Sequence, residues 1–275
     1  MRLTLPFKPS RMTRGSVFEA RQYRRTAFDG LIDPVLNVDW FVMRGPTFPA
    51  HPHAGFSAVT YLFADSENGF DNRDSLGEHH TILPGGLHWS RASRGLMHEE
   101  TPLPGGKPVT GLQIFMNLPA DRQTDPPAAF PLPADDVVLT YGEGWHRRVA
   151  VDGLSIGTAR EALPAPVRIA ELSLDAHTAI EEAIPAGWGG LLIVLEGAAM
   201  VDASQSLSNT EAIGFASEAS AALAIQAGSA GARLAIIAGQ QLHQLIHSRG
   251  PLMLASEAQL DEAQRRVASL TIPDI

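Results

Sequence analysis

The sequence predicts an all-β protein, a sandwich or barrel completed by one C-terminal helix, and three observations carry that reading. Short segments rich in Val, Ile, Leu, Thr and aromatic residues recur along the chain, among them SAVTYLF, GLQIFMNL, DVVLTY, GLLIVLEG, AALAIQAG and ARLAIIAG. Twenty-five glycines and 20 prolines are spread between such segments and punctuate them as turns. Helical periodicity is convincing only near the end. In SEAQLDEAQRRVASL, Ser256 stands where a cap belongs, and Ala258, Leu260, Ala263, Val267 and Leu270 recur at roughly helical intervals.

A chain of 275 residues suggests two domains of ordinary size, although one large β domain also fits. The stretch from Asn117 to Asp136, dense in Pro, Ala and Asp, is the best candidate for an extended linker. The expected division is therefore residues 1–125 and 126–275, with the helix in the second part. A repeat is also visible. GFSAVTYLF from Gly55 and GWGGLLIVL from Gly187 share a glycine, an aromatic, two small residues and five strand formers. Aligned this way, Ala183 and Pro185 take the places of His51 and His53, and neither side chain can bind a metal.

Composition narrows the function. With 44% hydrophobic and 19% charged residues, the chain has enough apolar material for a real core in a globular protein. It has no cysteine, which excludes disulfides, thiolate-ligated zinc and iron–sulfur sites. The apolar runs are of strand length and the start MRLTLPFKPSRMTRG has no apolar signal core, so no membrane association and a cytoplasmic location are expected. A formal net charge of −9 argues against direct nucleic-acid binding. The local exception, Arg11, Arg14, Arg21, Arg24 and Arg25, reads first as a solvated face of an edge strand.

Chemistry concentrates in two short stretches. HPHAGFSAVTYLF begins at His51, and RGLMHEETP follows some forty residues later. Side chains two apart on a strand share a face, so His51 and His53 project together, and so do His98 and Glu100. If the two short strands lie close in a barrel, the four side chains meet at one interior point. Three imidazoles and a carboxylate suit Fe(II), Mn(II), Ni(II), Cu(II) or Zn(II). A six-coordinate ion would keep two positions for substrate or dioxygen. Either pair alone is more often structural; the two together favour a metal site. Phe48, Phe56, Trp89 and Met116 are candidate pocket walls, with core packing an equal claim on each. His88 alternates with Trp89 and reads either as an interior hydrogen-bond partner to a ligand or substrate or, equally, as a surface residue. His79 and His80 are expected to be exposed in a polar turn.

The run HPHAGFSAVTYLF, then RDSLGEHHTILPGGLHWSRASRGLMHEETP, resembles the signature of the pirin family within the cupin superfamily. DPVLNVDWF and GPTFPAHPH upstream and TGLQIFMNLPA downstream extend the resemblance over roughly Asp33–Ala120; the second half matches mainly at PAGWGGLLIVLEG. The resemblance implies two double-stranded β-helix (jelly-roll) barrels with a C-terminal helix. It implies one mononuclear metal, usually iron, in the first barrel on His51, His53, His98 and Glu100, with Glu99 pointing away. The chain departs from the pattern at Ala54 (usually Arg), Asn72 (His), Gly86 (Asp) and His88 (Gln), none of them a ligand. Two readings follow from the family. One is a metal-dependent dioxygenase acting on a small flavonol, such as quercetin, or another enediol, with Glu100 taking the substrate proton. The other is a non-catalytic, metal- or redox-responsive regulator acting through a protein partner, supported by the basic cluster and the departures.

Overall fold

Alternation along the strands decides which side chains meet in the unit that carries both histidine motifs. The computed structural model describes residues 1–160 and 162–273. Its contacts divide the chain into two compact units: residues 11–22, 37–136 and 242–275, and residues 1–10, 23–36 and 137–241. The sheet that carries most of the first unit has seven strands in the order Ala128–Leu132, Leu87–Arg91, Phe56–Leu62, Val109–Asn117, Val35–Met43, Phe18–Arg24, Ser10–Arg14, the first four of them antiparallel. A four-stranded sheet, His51–His53, Leu96–Pro102, Phe70–Asp74, His79–Ile82, faces it across a shared interior. Phe56–Leu62 is buried at every position because both of its faces are covered, which is why its sequence is a nearly continuous strand-forming run.

Ser10–Arg14 is an edge strand with an almost wholly exposed pattern, so the edge-strand reading holds for Arg11 and Arg14; Arg21 and Arg24 are half-buried on the neighbouring strand Phe18–Arg24, and Arg25 follows it in a 3-10 turn. Arg11 pairs with Glu19, while the Arg14 and Arg21 guanidinium groups lie 4.4 Å and 4.7 Å from the ring centres of Phe48 and Trp40. The segment from Asn117 to Asp136 is not the extended linker expected: residues 120–125 form turns closed by Arg122 N–H to Pro119 and Asp125 N–H to Arg122, Ala134–Asp136 is a 3-10 turn, and the part between them is a strand. Ala128–Leu132 pairs with Leu87–Arg91 and forms the other edge of the sheet, where Pro131 costs no interior ladder bond. The helix spans Glu257–Val267, and the Ser256 hydroxyl accepts from the Gln259 N–H at 3.3 Å. Leu260, Ala263 and Val267 bury against Ala54, Leu252 and Leu254, which ties the helix to the first histidine motif. Ala258 is exposed.

The second unit is one antiparallel sheet around its own core, centred on Trp188–Val201 and Ala221–Gln240. These strands, of 14 and 20 residues, change register at Val194/Glu196 and Gly197/Ala199, so one ladder serves two walls of the core. Trp188–Val201 is flanked on both sides by antiparallel partners. Among the described residues no helix is long and apolar enough to cross a membrane.

Candidate metal centre

The strand His51–His53 pairs antiparallel with Leu96–His98, setting His98 opposite His51 and Leu96 opposite His53. Pro52 is tolerated because this strand is the edge of its sheet. Alternation then turns three imidazoles inward. Their ring centres are 4.8 Å apart (His51–His53), 4.8 Å (His51–His98) and 4.9 Å (His53–His98), and the Nε2 atoms of His53 and His98 lie 3.1 Å apart. One nitrogen from each ring falls within 4.8 Å of the others. The His51 Nδ1–H donates to the Pro49 carbonyl at 2.9 Å, which leaves its Nε2 lone pair for the interior. His53 and His98 are each 3% exposed, and Phe56 and Phe115 pack their rings on His53.

Burial is the largest influence on all three histidines. It lowers the pKa of His51, brings His53 down to about 3 and holds His98 well below the ordinary imidazole value. At neutral pH the cluster is therefore three uncharged imidazoles presenting lone pairs. That is the state a metal requires of nitrogen ligands, and the donor set fits a divalent ion of intermediate hardness.

Glu100 lies on the same inward face, paired with Asn72. Both of its oxygens accept from the Thr60 hydroxyl, at 2.7 Å and 2.8 Å, and the Gln113 Oε1 lies 3.1 Å from that hydroxyl. The cluster of converging ligand atoms comprises the three histidines and does not include this carboxylate. Glu100 does line the same cavity as they do. Burial raises its pKa to about 7 against the lowering effect of the Thr60 bond. Glu99 projects the other way and accepts from the Arg73 guanidinium at 2.7 Å.

The cavity over the imidazoles is about 140 Å³, walled by Phe18, Phe41, Met43, Phe48, Phe70 and Phe115, with Asp39 and Gln113 as further polar groups. Of the four wall candidates taken from sequence, Phe48 lines it and Phe56 packs behind His53; Trp89 and Met116 are buried in the core instead. Phe18, Phe41, Phe70 and Phe115 were missed because they lie outside the motifs. The signal available was alternation: Phe41 and Met43 sit two apart on one strand, as Gln113 and Phe115 do on another. His88 is buried, facing the interior. His79 is exposed and bonded to Asp71, but His80 is not exposed as the sequence suggested. The pair lies on the strand His79–Ile82 rather than in a turn, so the two side chains alternate and His80 turns inward.

Two family models match the chain, Pirin over residues 21–116 and the Pirin C-terminal cupin domain over residues 169–268. Together they cover well over half of it. The chain belongs to the pirin family. A Pseudomonas aeruginosa protein named "Putative quercetin 2,3-dioxygenase" is 29% identical to this pirin over 247 residues, covering 85% of this chain and 84% of its own. Human Pirin is 26% identical, covering 84% and 80%. Among solved structures, a quercetin 2,3-dioxygenase from Acinetobacter baumannii matches with a TM-score of 0.82 at 23% identity, over 96% of this chain and 95% of that one. The bacterial pirin YhhW from Escherichia coli, in complex with nickel(II), matches with a TM-score of 0.67 at 15% identity, over 87% and 99%. The all-β cupin fold expected from the sequence is thereby shown.

Proposed function

We propose that this pirin is a metal-dependent dioxygenase for small molecules bearing adjacent enediol oxygens, flavonols such as quercetin among them. The observation that carries the reading is the convergence of three uncharged imidazoles beneath one apolar cavity that the half-buried Glu100 carboxylate also lines. His51, His53 and His98 would hold the ion, with Glu100 as the fourth ligand and iron(II) as the expected metal; manganese, nickel, copper and zinc also suit the set. When bound, the metal supplies Lewis acidity toward a chelated hydroxyl and a centre at which dioxygen and substrate exchange electrons.

The chain's own residues supply the rest. Glu100, with a pKa near 7 before any metal is bound, is matched to taking a hydroxyl proton at neutral pH, and Thr60 holds its carboxylate in place. The aromatic walls exclude water and grip a flat ring. A volume of about 140 Å³ is small beside the roughly 300–1,000 Å³ of sites that enclose drug-sized ligands. The chelating ring therefore sits inside, and any further ring lies toward the mouth. In the second cupin domain Ala183 and Pro185 stand where the first two histidines would be and provide no ligand, so that domain is assigned no counterpart of this centre.

The test is metal content followed by turnover. Protein purified without an affinity tag should carry close to one equivalent of iron or a similar ion at this centre, and His53→Ala should remove it. Metal-loaded protein should consume quercetin or another enediol aerobically, while metal-free protein should not. No consumption across a panel of flavonols and smaller enediols would reject the enzymatic reading.

A further inference from the structure

Behind Glu100 the interior holds polar side chains that the proposed reaction does not use. Asn72 stands opposite Glu100 on one side and His80 on the other. On the facing sheet His88 stands opposite Thr60. Alternation turns Asn72, Asp74 and His80 inward beside His98 and Glu100, and turns His88 inward with Thr60. The His80 and His88 rings lie 4.6 Å apart, centre to centre, with planes tilted by 48°. That is close to the spacing within the His51–His53–His98 cluster.

None of the four ring nitrogens of His80 and His88 has a hydrogen-bond partner, and the same holds for both amide atoms of Asn72 and for the Oδ2 of Asp74. Asn72, Asp74 and His88 are 0%, 1% and 1% exposed. Buried polar atoms are rarely left unpaired in a folded chain, and seven in one neighbourhood point to a missing occupant. Asp74 is also fixed in orientation. Its Oδ1 accepts from the backbone N–H groups of Leu76 (2.8 Å) and Glu78 (3.1 Å), which leaves Oδ2 as the unpaired oxygen. Burial lowers the pKa of both imidazoles, so they offer neutral nitrogen donors. A second cavity, about 540 Å³, is lined by His80 together with Glu78, Leu83, Leu87 and Pro131.

We propose that His80 and His88 form the core of a second binding site for a divalent transition-metal ion, with Asp74 and Asn72 on the same inward face as its polar surroundings. Two imidazoles are borderline donors suited to zinc, nickel, copper or iron(II). The inference does not depend on the dioxygenase reading.

The experiment uses the full chain, stripped with a chelator and titrated with zinc or nickel by equilibrium dialysis and elemental analysis. Wild type should saturate at two equivalents per chain. His53→Ala and His88→Gln should each saturate at one, and the double variant should bind none. Circular dichroism checks that the variants fold. Should His88→Gln not fold, anomalous difference maps from zinc-soaked wild-type crystals decide the matter: a peak between the His80 and His88 rings supports the site. The proposal is overturned by saturation of wild type at one equivalent, by two equivalents retained in His88→Gln, or by a second peak on exposed histidines such as His79 or His146. Ordered water alone between the rings also overturns it.

Discussion

Gly55 joins the first histidine motif to the segment that covers it, and replacing it with alanine tests that junction. Its φ is +88°, a left-handed conformation that costs an L side chain about 1–2 kcal/mol. A Cβ there would lie 1.8 Å from the carbonyl oxygen of Met253 and 2.6 Å from the Leu254 Cγ. Contacts under 3.0 Å are essentially never observed, so the Met253 backbone must retreat by at least about 1.2 Å. The Met253 N–H donates to the Ala54 carbonyl at 3.0 Å, and that retreat breaks the bond, a loss of about 0.5–1.5 kcal/mol. Overpacking adds about 1–3 kcal/mol, and the stiffer unfolded chain returns about 0.4–1. Gly55→Ala should therefore destabilise the metal-free protein by about 2–6 kcal/mol in urea unfolding followed by tryptophan fluorescence. Gly77 is the control, with φ +85° and nothing within 4 Å of the point a Cβ would occupy. Gly77→Ala should lose only about 1 kcal/mol. Equal losses at the two positions would refute the collision argument.

Acid should destabilise the metal-free protein. The unfolded chain protonates its histidines below about pH 6.5, while His53 and His88 stay neutral in the fold down to about 3. Each then withdraws about 2 kcal/mol between pH 7 and pH 5. His51, His80 and His98 act in the same sense. Glu100 and Asp74 act oppositely, and Glu100, raised to about 7, returns about 2 kcal/mol over that interval. A net loss of at least about 2 kcal/mol is expected, and urea midpoints unchanged or higher at pH 5 would contradict it. Thr60→Val removes a hydrogen bond to a charged group, worth about 1.5–3 kcal/mol, and should lift the metal-free Glu100 pKa by a further 1–2 units or so, read by carbon-13 carboxyl NMR. A Glu100 pKa that stays put or falls would show that Thr60 does not hold the carboxylate. Leu260→Ala empties a position buried against the first motif and should cost about 2–5 kcal/mol, visible as a lower urea midpoint, whereas Ala258→Ser, on the exposed side of the helix, should change it by less than about 0.5.

The histidine motifs were legible because strand alternation is a local rule: once HPH and HEE are strands, His51 with His53 and His98 with Glu100 must share faces. The Ser256 cap and the Leu260–Ala263–Val267 stripe were legible for the same reason. What alternation does not reveal is which strands become neighbours. The apolar cavity wall combines Phe18, Phe41, Phe70 and Phe115 from four strands, and only the ladder register brings them together. His80 was misplaced because HH in a polar stretch looks like a turn until its pairing with Asn72 fixes it on a strand. The Thr60–Glu100 bond was equally hidden, since it crosses from one sheet to the other.

The cover on Ala54 comes from residues that lie far downstream in the chain, Leu252 and Leu254 on a short strand and Leu260 on the helix beyond it. During synthesis, the HPH strand emerges from the ribosome long before the segment that seals its back. A chain ending at Gln241 would lack the Leu252, Leu254 and Leu260 side chains that pack on Ala54, while the Gly55 N–H would still reach the Ser93 carbonyl. A chain cut before this segment would keep the ligand residues without the apolar cover on the back of their strand.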